Sequence, residues 1–303
     1  MALKKGILWG LHSIAPQSYK NQVSSLYNNL TVTPERLEEL IVQAREKGYR
    51  FVSLDQFLID KADNQEHKNI VITIDDGWKN VYEYAFPVFQ KLNVPFVFYI
   101  ATGLIENGFK NCPLPELDGM SILCDMVEKE PVSDDIKRDL FKKYWKKFKH
   151  KKRFLFWKNG YQIMQSLFPK TILDFDKYKR ENICTPAELK QMADSGLCEL
   201  GSHTDNHIHV DRLSPKQTER ECLNSIRKLE QWSGKKCRHF SFPYGHESPV
   251  ATKIISRYFS SAAVIYVNMD RTNPRQYTLS SDGNYEIPRK FIFPETQLDE
   301  LLF

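Results

Sequence analysis

The chain has 303 residues, of which 41% are hydrophobic and 27% are charged, and its formal net charge is +5. This composition is ordinary for a soluble globular protein with a large core, and no apolar run approaches the ~18–20 residues of a membrane span. The six cysteines are scattered without a Cys-x-x-Cys pair, which argues against a disulfide framework and a cysteine-based zinc site.

The first predicted element is a β-strand at 6–12, where a short apolar run follows a basic pair. A secretory signal peptide begins in a similar way, but Gly10 and His12 interrupt this run and no small-residue cleavage site follows it. We therefore expect a cytoplasmic protein, and free thiols fit a reducing compartment.

Strands and helices then alternate along the chain. The predicted strands are short runs rich in apolar or β-branched residues, at 6–12, 51–54, 70–75, 96–101, 197–202, 238–242 and 262–267. Between them, a capping residue before a proline marks three helix starts and a glycine marks three helix ends: Thr33, Thr185 and Ser214, then Gly48, Gly196 and Gly234. Repeated strand–helix units predict a parallel sheet, either open or closed into a barrel.

One segment, at about 108–182, contains no clear strand, and we predict that it is a helical insertion within a single domain spanning 1–303. Ten of the seventeen residues at 137–153 are Lys or Arg, against one acid, Asp139. On a helical wheel, the aromatic and leucine side chains of this run share one arc and the lysines occupy the rest. That distribution is typical of a basic amphipathic helix.

Three short segments with reactive side chains each follow a predicted strand. They are Thr-Ile-Asp-Asp-Gly at 73–77, His-Thr-Asp-Asn-His at 203–207 and Phe-Pro-Tyr-Gly at 242–245. The carboxyl ends of parallel strands gather on one face of an α/β fold, so we expect these segments to converge. Each segment alone is commonly a turn or a surface pair, and their joint occurrence after three strands favours one site.

The residue types suit a hydrolytic metal site. Two imidazoles, from His203 and His207, and one carboxylate, from Asp75 or Asp76, leave open positions on a divalent ion, which can lower the pKa of a bound water to about 7. The other carboxylate of the pair can accept a proton as that water attacks, because Gly77 permits a turn that brings both carboxylates to one cleft. No glycine-rich phosphate loop is present, which argues against a kinase or a dehydrogenase.

The three segments resemble the motifs of the polysaccharide deacetylase family, carbohydrate esterase family 4, whose domain is NodB-like. The family's Thr-Phe-Asp-Asp-Gly motif occurs here with Ile74 in place of phenylalanine, and its His-Ser/Thr-x-x-His motif is matched in full at 203–207. The similarity continues in Glu-Lys-Gly-Tyr at 46–49, Ala-Phe-Pro-Val-Phe at 85–89 and Glu-Leu-Gly-Ser at 199–202. It covers most of the chain outside the insertion.

The resemblance implies a distorted (β/α) barrel of about seven strands and a hydrolase that acts on an amide bond. The substrate would be an N-acetylated sugar, whether polymeric, oligomeric or lipid-linked, and the products would be a free amino sugar and acetate. An alternative interpretation is that the same residues catalyse deformylation or O-deacetylation.

The resemblance also assigns roles to residues. Asp76, His203 and His207 would hold a divalent metal, with zinc preferred and cobalt, manganese, nickel or iron as alternatives. Asp75 would be the general base. The backbone N–H of Tyr244 would stabilise the oxyanion that forms when the acetamide carbonyl is attacked.

Two positions depart from the family pattern. Many members carry an arginine that orients the base two residues before the proline of the third motif, and here that position is Ser241. Arg289 could supply the missing charge, or it could be a surface arginine. Many members also use a late histidine as general acid, and no histidine follows His246. His12, at the end of the first strand, and His246 are the two candidates, and either could instead be a structural histidine.

The unfilled acid position leaves a second function open, which is a catalytically weak or inactive metal-containing protein that binds carbohydrate. The basic run at 137–153 has three interpretations, one of which is nucleic-acid binding. Its apolar face can pack on the barrel, or it can attach the protein peripherally to an anionic membrane at the inner face, where a lipid-linked sugar would be available. Nothing matches a nucleic-acid-binding module, so we expect no nucleic-acid partner.

Overall fold

The structure is a computed structural model, and it describes residues 6–20, 30–63, 68–108, 175–265 and 283–302, with isolated positions at 133, 135, 139 and 142. Most of the predicted insertion, including nearly all of the basic run at 137–153, therefore lies outside the described residues. The interpretations of the basic run, and the assignment of 1–303 to a single domain, stay predictions.

Seven parallel strands close into a barrel, which confirms the predicted fold class. The strands in chain order are β1 (Ile7–Leu11), β2 (Ser13–Ile14), β3 (Thr31–Val32), β4 (Arg50–Phe51), β5 (Asn69–Ile74), β6 (Phe96–Ile100), β7 (Cys198–Ser202), β8 (His239–Ser241), β9 (Ser261–Ile265) and β10 (Ile287–Phe291). The ring runs β1-β10-β9-β8-β7-β6-β5 and closes because β1 pairs with both β5 and β10. Strand β4 pairs with the start of β5 outside the ring, and β2 and β3 form a separate pair.

The barrel has the predicted number of strands, but one predicted strand lies outside the ring and one ring strand was not predicted. Six of the predicted strands correspond to ring strands, whereas the prediction at 51–54 overlaps β4 by one residue, and a helix begins at Leu54. The seventh ring strand, β10, was not predicted. Its sequence contains Pro288, Arg289 and Lys290, which hide the apolar pattern of a strand.

Helices connect the strands along the outside of the ring. They are α1 (Gln17–Lys20), α2 (Pro34–Glu46), α3 (Leu54–Ala62), α4 (Phe86–Leu92), α5 (Thr102–Asn107), α6 (Phe175–Asn182), α7 (Pro186–Asp194), α8 (Pro215–Ser233), α9 (Pro249–Ile255) and α10 (Leu298–Leu302). A π-helical turn lies at Val81–Ala85, and 3-10 turns lie at Val210–Arg212 and Pro243–Gly245. None of the helices within the described ranges is long and apolar enough to cross a membrane.

The predicted helix starts are confirmed. Thr33 accepts the backbone N–H of Arg36 at the start of α2. Thr185 and Ser214 form capping boxes at the starts of α7 and α8, with Glu188 and Gln217 as the reciprocal partners. Helix α8 ends at Gly234, whose φ of 70° belongs to the left-handed region that glycine adopts at low cost.

The barrel interior changes from apolar to polar along its axis. Leu8, Val71, Val97, Ala263 and Ile287 form one buried cluster, on which Leu54 and Phe57 of α3 also pack. One step further along the strands, alternate positions carry Thr73, Tyr99 and Arg289, which are also buried. A second, larger apolar cluster joins the strands to the helices. Polar groups therefore collect inside the barrel near the carboxyl ends of its strands.

Candidate active site

Asp75 directly follows β5 at the carboxyl end of the barrel, and its side chain is fully buried. Arg289 of β10 holds it through a bidentate ion pair, in which Nη1 donates to Oδ1 and Nη2 donates to Oδ2, both at 2.7 Å. Arg289 Nη2 also donates to Ser241 Oγ at 2.8 Å. The guanidinium thus reaches the carboxylate from a different strand than in the family pattern, as we had considered from the sequence. Its catalytic role stays a prediction.

The ion pair is fixed by its surroundings. Burial is the largest single effect and would raise the pKa of Asp75, but the charge and hydrogen bonds of Arg289 and the effect of His203 together outweigh it, so the pKa lies below its usual value. The guanidinium carbon lies 5.0 Å from the ring centroid of Phe291 and 5.6 Å from that of Tyr99. Loss of either partner would leave an uncompensated charge in the barrel interior.

Asp76 turns back into the same cleft because its backbone is left-handed, with a φ of 81°. Adjacent residues of a regular strand point to opposite faces, so this turn is what lets both carboxylates reach one cleft. Gly77 follows with a φ of 115°. The Asp-Asp-Gly sequence predicted such a turn, although it did not indicate that Asp76 itself takes the positive φ, which is uncommon for a residue other than glycine.

Asp76, His203 and His207, which we call the metal triad, converge on one point. His207 Nε2 lies 3.2 Å and His203 Nε2 lies 3.6 Å from Asp76 Oδ1. Ligand atoms held at about 2.0–2.2 Å by a tetrahedral zinc ion lie about 3.4 Å from one another. The two measured distances bracket that value.

A second contact orients each histidine of the triad. His203 Nδ1 lies 2.8 Å from the carbonyl oxygen of Ser241. Because a carbonyl only accepts, Nδ1 carries the proton and Nε2 presents its lone pair to Asp76. His207 Nδ1 lies 2.7 Å from Tyr244 Oη, which orients the ring in the same way. Metal-binding histidines in proteins show this pattern, with the outer nitrogen engaged by a polar partner.

The donor set fits a divalent cation. Trp78 Nε1 donates to Asp76 Oδ2 at 3.0 Å, which leaves Oδ1 directed at the two imidazoles. Burial lowers the pKa of His203 to about 4 despite the opposing charge of Asp75, so its imidazole is neutral at pH 7, the form that binds metals. Three protein ligands with open positions match the catalytic rather than the structural type of zinc site.

Helix α8 anchors the loop between the two triad histidines. Glu221 accepts the backbone N–H groups of Asp205 at 3.0 Å and Asn206 at 2.9 Å. Lys228 Nζ donates to Asp205 Oδ1 at 2.9 Å, and Thr102 Oγ1 donates to the same oxygen at 2.7 Å. Asp205 and Asn206, two of the three residues between the histidines of the motif, thus tie the loop to the neighbouring helices.

The two candidates for the general acid lie in different places. His12 follows β1, its ring centroid lies 4.9 Å from that of Phe291, and it is an electrostatic neighbour of both Asp75 and Asp76. His246 is exposed, and its ring centroid lies 4.6 Å from that of His209. His12 therefore lies near Asp75 and Asp76, whereas His246 lies beside His209.

Tyr244 contributes its side chain to the site. In the Pro-Tyr-Gly turn it has a φ of 60°, and its ring stacks on His209 with centroids 4.3 Å apart and planes inclined by 19°. Its hydroxyl contacts His207 Nδ1. The oxyanion role of its backbone N–H stays a prediction.

A family model described as polysaccharide deacetylase matches residues 62–259, which is more than half of the chain. The chain belongs to the polysaccharide deacetylase family. Membership supports a hydrolase that acts on the amide bonds of carbohydrates and removes acetyl groups from sugars. No curated protein matches the chain.

Solved structures share the fold, and two of the three named here are described as deacetylases. The deacetylase PplD from Streptococcus pyogenes, in complex with acetate, aligns with a TM-score of 0.63 at 16% identity, over 98% of this chain and 96% of that one. A de-N-acetylase from Aggregatibacter actinomycetemcomitans aligns with a TM-score of 0.59 at 16% identity, over 97% of both chains. IcaB from Ammonifex degensii aligns with a TM-score of 0.54 at 20% identity, over 86% and 83%. At this identity the likeness establishes the fold.

Sequence reasoning missed several supporting residues of this deacetylase site. Trp78 directly follows one recognised motif and the Tyr244 hydroxyl lies inside another, but only the backbone or a neighbouring residue was considered. Glu221 and Lys228 carried a usable signal, because both lie on the buried stripe of α8. Charged residues in the core-facing stripe of a helix are rare unless they are paired.

Proposed function

We propose that the protein is a metal-dependent N-deacetylase that hydrolyses the acetamide of an N-acetylated saccharide, with the metal held by Asp76, His203 and His207. The observation that carries the proposal is the convergence of two histidine Nε2 atoms on one oxygen of Asp76, directly beside the buried pair of Asp75 and Arg289. Family membership supports the choice of an acetylated sugar as substrate.

The proposed cofactor is zinc, with cobalt, manganese, nickel or iron as alternatives. Imidazole and carboxylate ligands accept several first-row divalent ions, and availability often decides among them. A bound divalent ion supplies Lewis acidity, which lowers the pKa of water and polarises a carbonyl oxygen. The triad leaves room for this chemistry because it contributes only three ligands.

In this proposal Asp75 is the general base. Each of its carboxylate oxygens accepts one N–H of Arg289 and keeps lone-pair capacity for the proton of the attacking water. Arg289 orients the carboxylate and keeps it ionised, and Ser241 holds the guanidinium in turn. Asp75 therefore acts as a fixed proton acceptor beside the triad.

We assign the general acid to His12, because it is an electrostatic neighbour of Asp75 and Asp76, whereas His246 lies beside His209. His12 would donate a proton to the nitrogen of the departing amine as its bond to the acetyl carbon breaks. The backbone N–H of Tyr244 would stabilise the charge that develops on the acetamide oxygen. The products are acetate and a free amino sugar.

We further propose a cytoplasmic location, and a peripheral attachment of the basic run at 137–153 to an anionic membrane where the sugar substrate is lipid-linked. The charge of the run supports this, since ten Lys and Arg residues stand against one acid. Flotation of the full chain with liposomes, with and without anionic lipid, tests the attachment. Absence of binding to anionic liposomes at low salt would contradict the proposed membrane attachment.

The function is tested by stripping the protein of metal and reloading it with each candidate ion. Acetate and free amine are then measured over a panel of N-acetylated saccharides that includes a lipid-linked one. We expect metal to restore acetate release with an equal amount of free amine. Acetate without amine from an O-acetylated sugar would make the protein an O-deacetylase. Metal and sugar binding without any product would make it the carbohydrate-binding protein that the sequence left open.

A further inference from the structure

A second group of ligand side chains lies near the metal triad. His209 and Asp211 flank Val210 at the 3-10 turn after the histidine loop, and His246 directly follows the Pro-Tyr-Gly turn. One ligand atom of each lies within 4.8 Å of the other two. In the described part of the chain, only this group, which we call the rim cluster, and the metal triad bring three such residues so close together.

We propose that the rim cluster is a second binding site for a divalent transition metal, weaker than the metal triad. It offers the same donors as the triad, two imidazoles and one carboxylate, which suit zinc, nickel and copper. No role in the proposed deacetylation uses these three side chains. The proposed second site can therefore be tested independently of the deacetylase function.

The internal geometry of the rim cluster needs only a small adjustment to hold an ion. His209 Nδ1 lies 3.9 Å from Asp211 Oδ1, compared with about 3.4 Å between two ligand atoms of a tetrahedral zinc ion. The His209 and His246 rings have centroids 4.6 Å apart and planes inclined by 56°. Asp211 and His246 are both exposed, so their side chains can rotate by this amount without disturbing the core.

Exposure and charge explain why the second site should be the weaker one. The ligands of the triad are buried or nearly so and each is held by a second contact, whereas two members of the rim cluster face solvent. Arg212 adds a positive charge near His209, which opposes a cation. An ion here should exchange readily and bind only when the metal concentration exceeds that needed by the triad.

The rim cluster is linked to the triad through one side chain. The Tyr244 ring stacks on His209, and the Tyr244 hydroxyl lies 2.7 Å from His207 Nδ1. An ion on His209 would therefore restrain the same tyrosine that orients a triad ligand. The two sites share this tyrosine but no ligand.

The test is equilibrium dialysis of the full chain against increasing free zinc, with the bound zinc counted per chain. We expect the wild type to bind one ion and then, at higher zinc, a second. Asp211→Asn and His246→Ala should each lose the second ion and keep the first, which also reports that the variant is folded. Glu247→Gln, a matched charge change next to His246, should keep both.

Two results would overturn the proposal. One is a wild type that saturates at a single ion over the whole range. The other is a second ion that persists in Asp211→Asn and His246→Ala, since it would then bind elsewhere. In the second case, loss of acetate release by His246→Ala would assign the general acid to His246 instead of His12.

Discussion

The barrel carries a histidine–carboxylate cluster at each end, and the two differ in how the same residue types face one another. At the carboxyl end, two imidazoles point at a single carboxylate oxygen of Asp76. At the amino end, a single imidazole, that of His239 at the start of β8, lies between two carboxylates. Its Nε2 is 3.3 Å from Asp55 and 3.5 Å from Glu199.

We propose that this difference separates a metal-binding site from a structural cluster. At the amino end one histidine faces two acids, and Arg238 also pairs with Asp55. Two histidines that present lone pairs to one carboxylate need a cation between them instead. The next three predictions compare matched changes at the two ends, and a fourth concerns the amino end alone. They are ordered by decreasing size of the effect.

Asp76→Asn should abolish metal binding by the triad, because the carboxylate oxygen on which both histidines converge loses its charge. Asp55→Asn, the matched change at the amino end, should leave metal binding intact. Equilibrium dialysis with zinc at a concentration that loads only the triad measures both. Equal loss of the ion in the two variants would remove the distinction between the ends.

Arg289→Gln should destabilise the fold by about 3–5 kcal/mol, since it leaves Asp75 as an unpaired buried charge. Arg238→Gln removes an arginine from a pair in which both side chains are more than a third exposed, and such pairs contribute about 0–1 kcal/mol. Urea unfolding of the two variants gives the comparison. Similar small losses would show that the Asp75 pair is not the buried anchor that we describe.

Tyr244→Phe should weaken metal binding by about 10–100-fold, the usual effect of removing an outer partner of a ligating histidine. Its counterpart is Ser261→Ala, because Ser261 Oγ lies 2.9 Å from His239 Nδ1. That variant should bind metal as the wild type does. Unchanged affinity in Tyr244→Phe would mean that the hydroxyl does not orient His207.

The smallest expected effect is on acid stability. A hydrogen bond from His239 lowers the pKa of Asp55 below 3.8, against a smaller opposing effect of burial. The unfolded chain therefore takes up the proton at a higher pH than the folded chain, and this stabilisation is lost as pH falls below about 4. Asp55→Asn should slightly flatten the fall in unfolding free energy between about pH 4 and pH 2. A steeper fall in the variant would contradict the direction of the shift.

Much of the fold followed from the sequence because the barrel strands are buried on both faces and carry continuous apolar runs. The exception, β10, is instructive. It turns Arg289 into the barrel interior, so the residue that pairs with Asp75 also hides the apolar pattern of the strand. Position along the chain gave no indication that β10 lies beside β1, because that neighbourhood results from closure of the ring.

The convergence of Asp76, His203 and His207 could be predicted, because their motifs follow predicted strands. Their supporting contacts could not be predicted. The contact of Tyr244 with His207 depends on a left-handed backbone in the turn, and the anchoring of the histidine loop by Glu221 depends on how α8 packs. Such contacts arise from tertiary geometry, which short motifs do not encode.

The most direct test of the account is acetate release by zinc-loaded wild type, Asp75→Asn and Asp55→Asn on the best substrate of the panel, with bound zinc measured in the same samples. We predict that all three hold zinc, that Asp55→Asn turns over like the wild type, and that Asp75→Asn loses about 10²–10⁴-fold in rate, as expected for removal of a general base. An Asp75→Asn protein that binds zinc and still releases acetate at the wild-type rate would contradict the account.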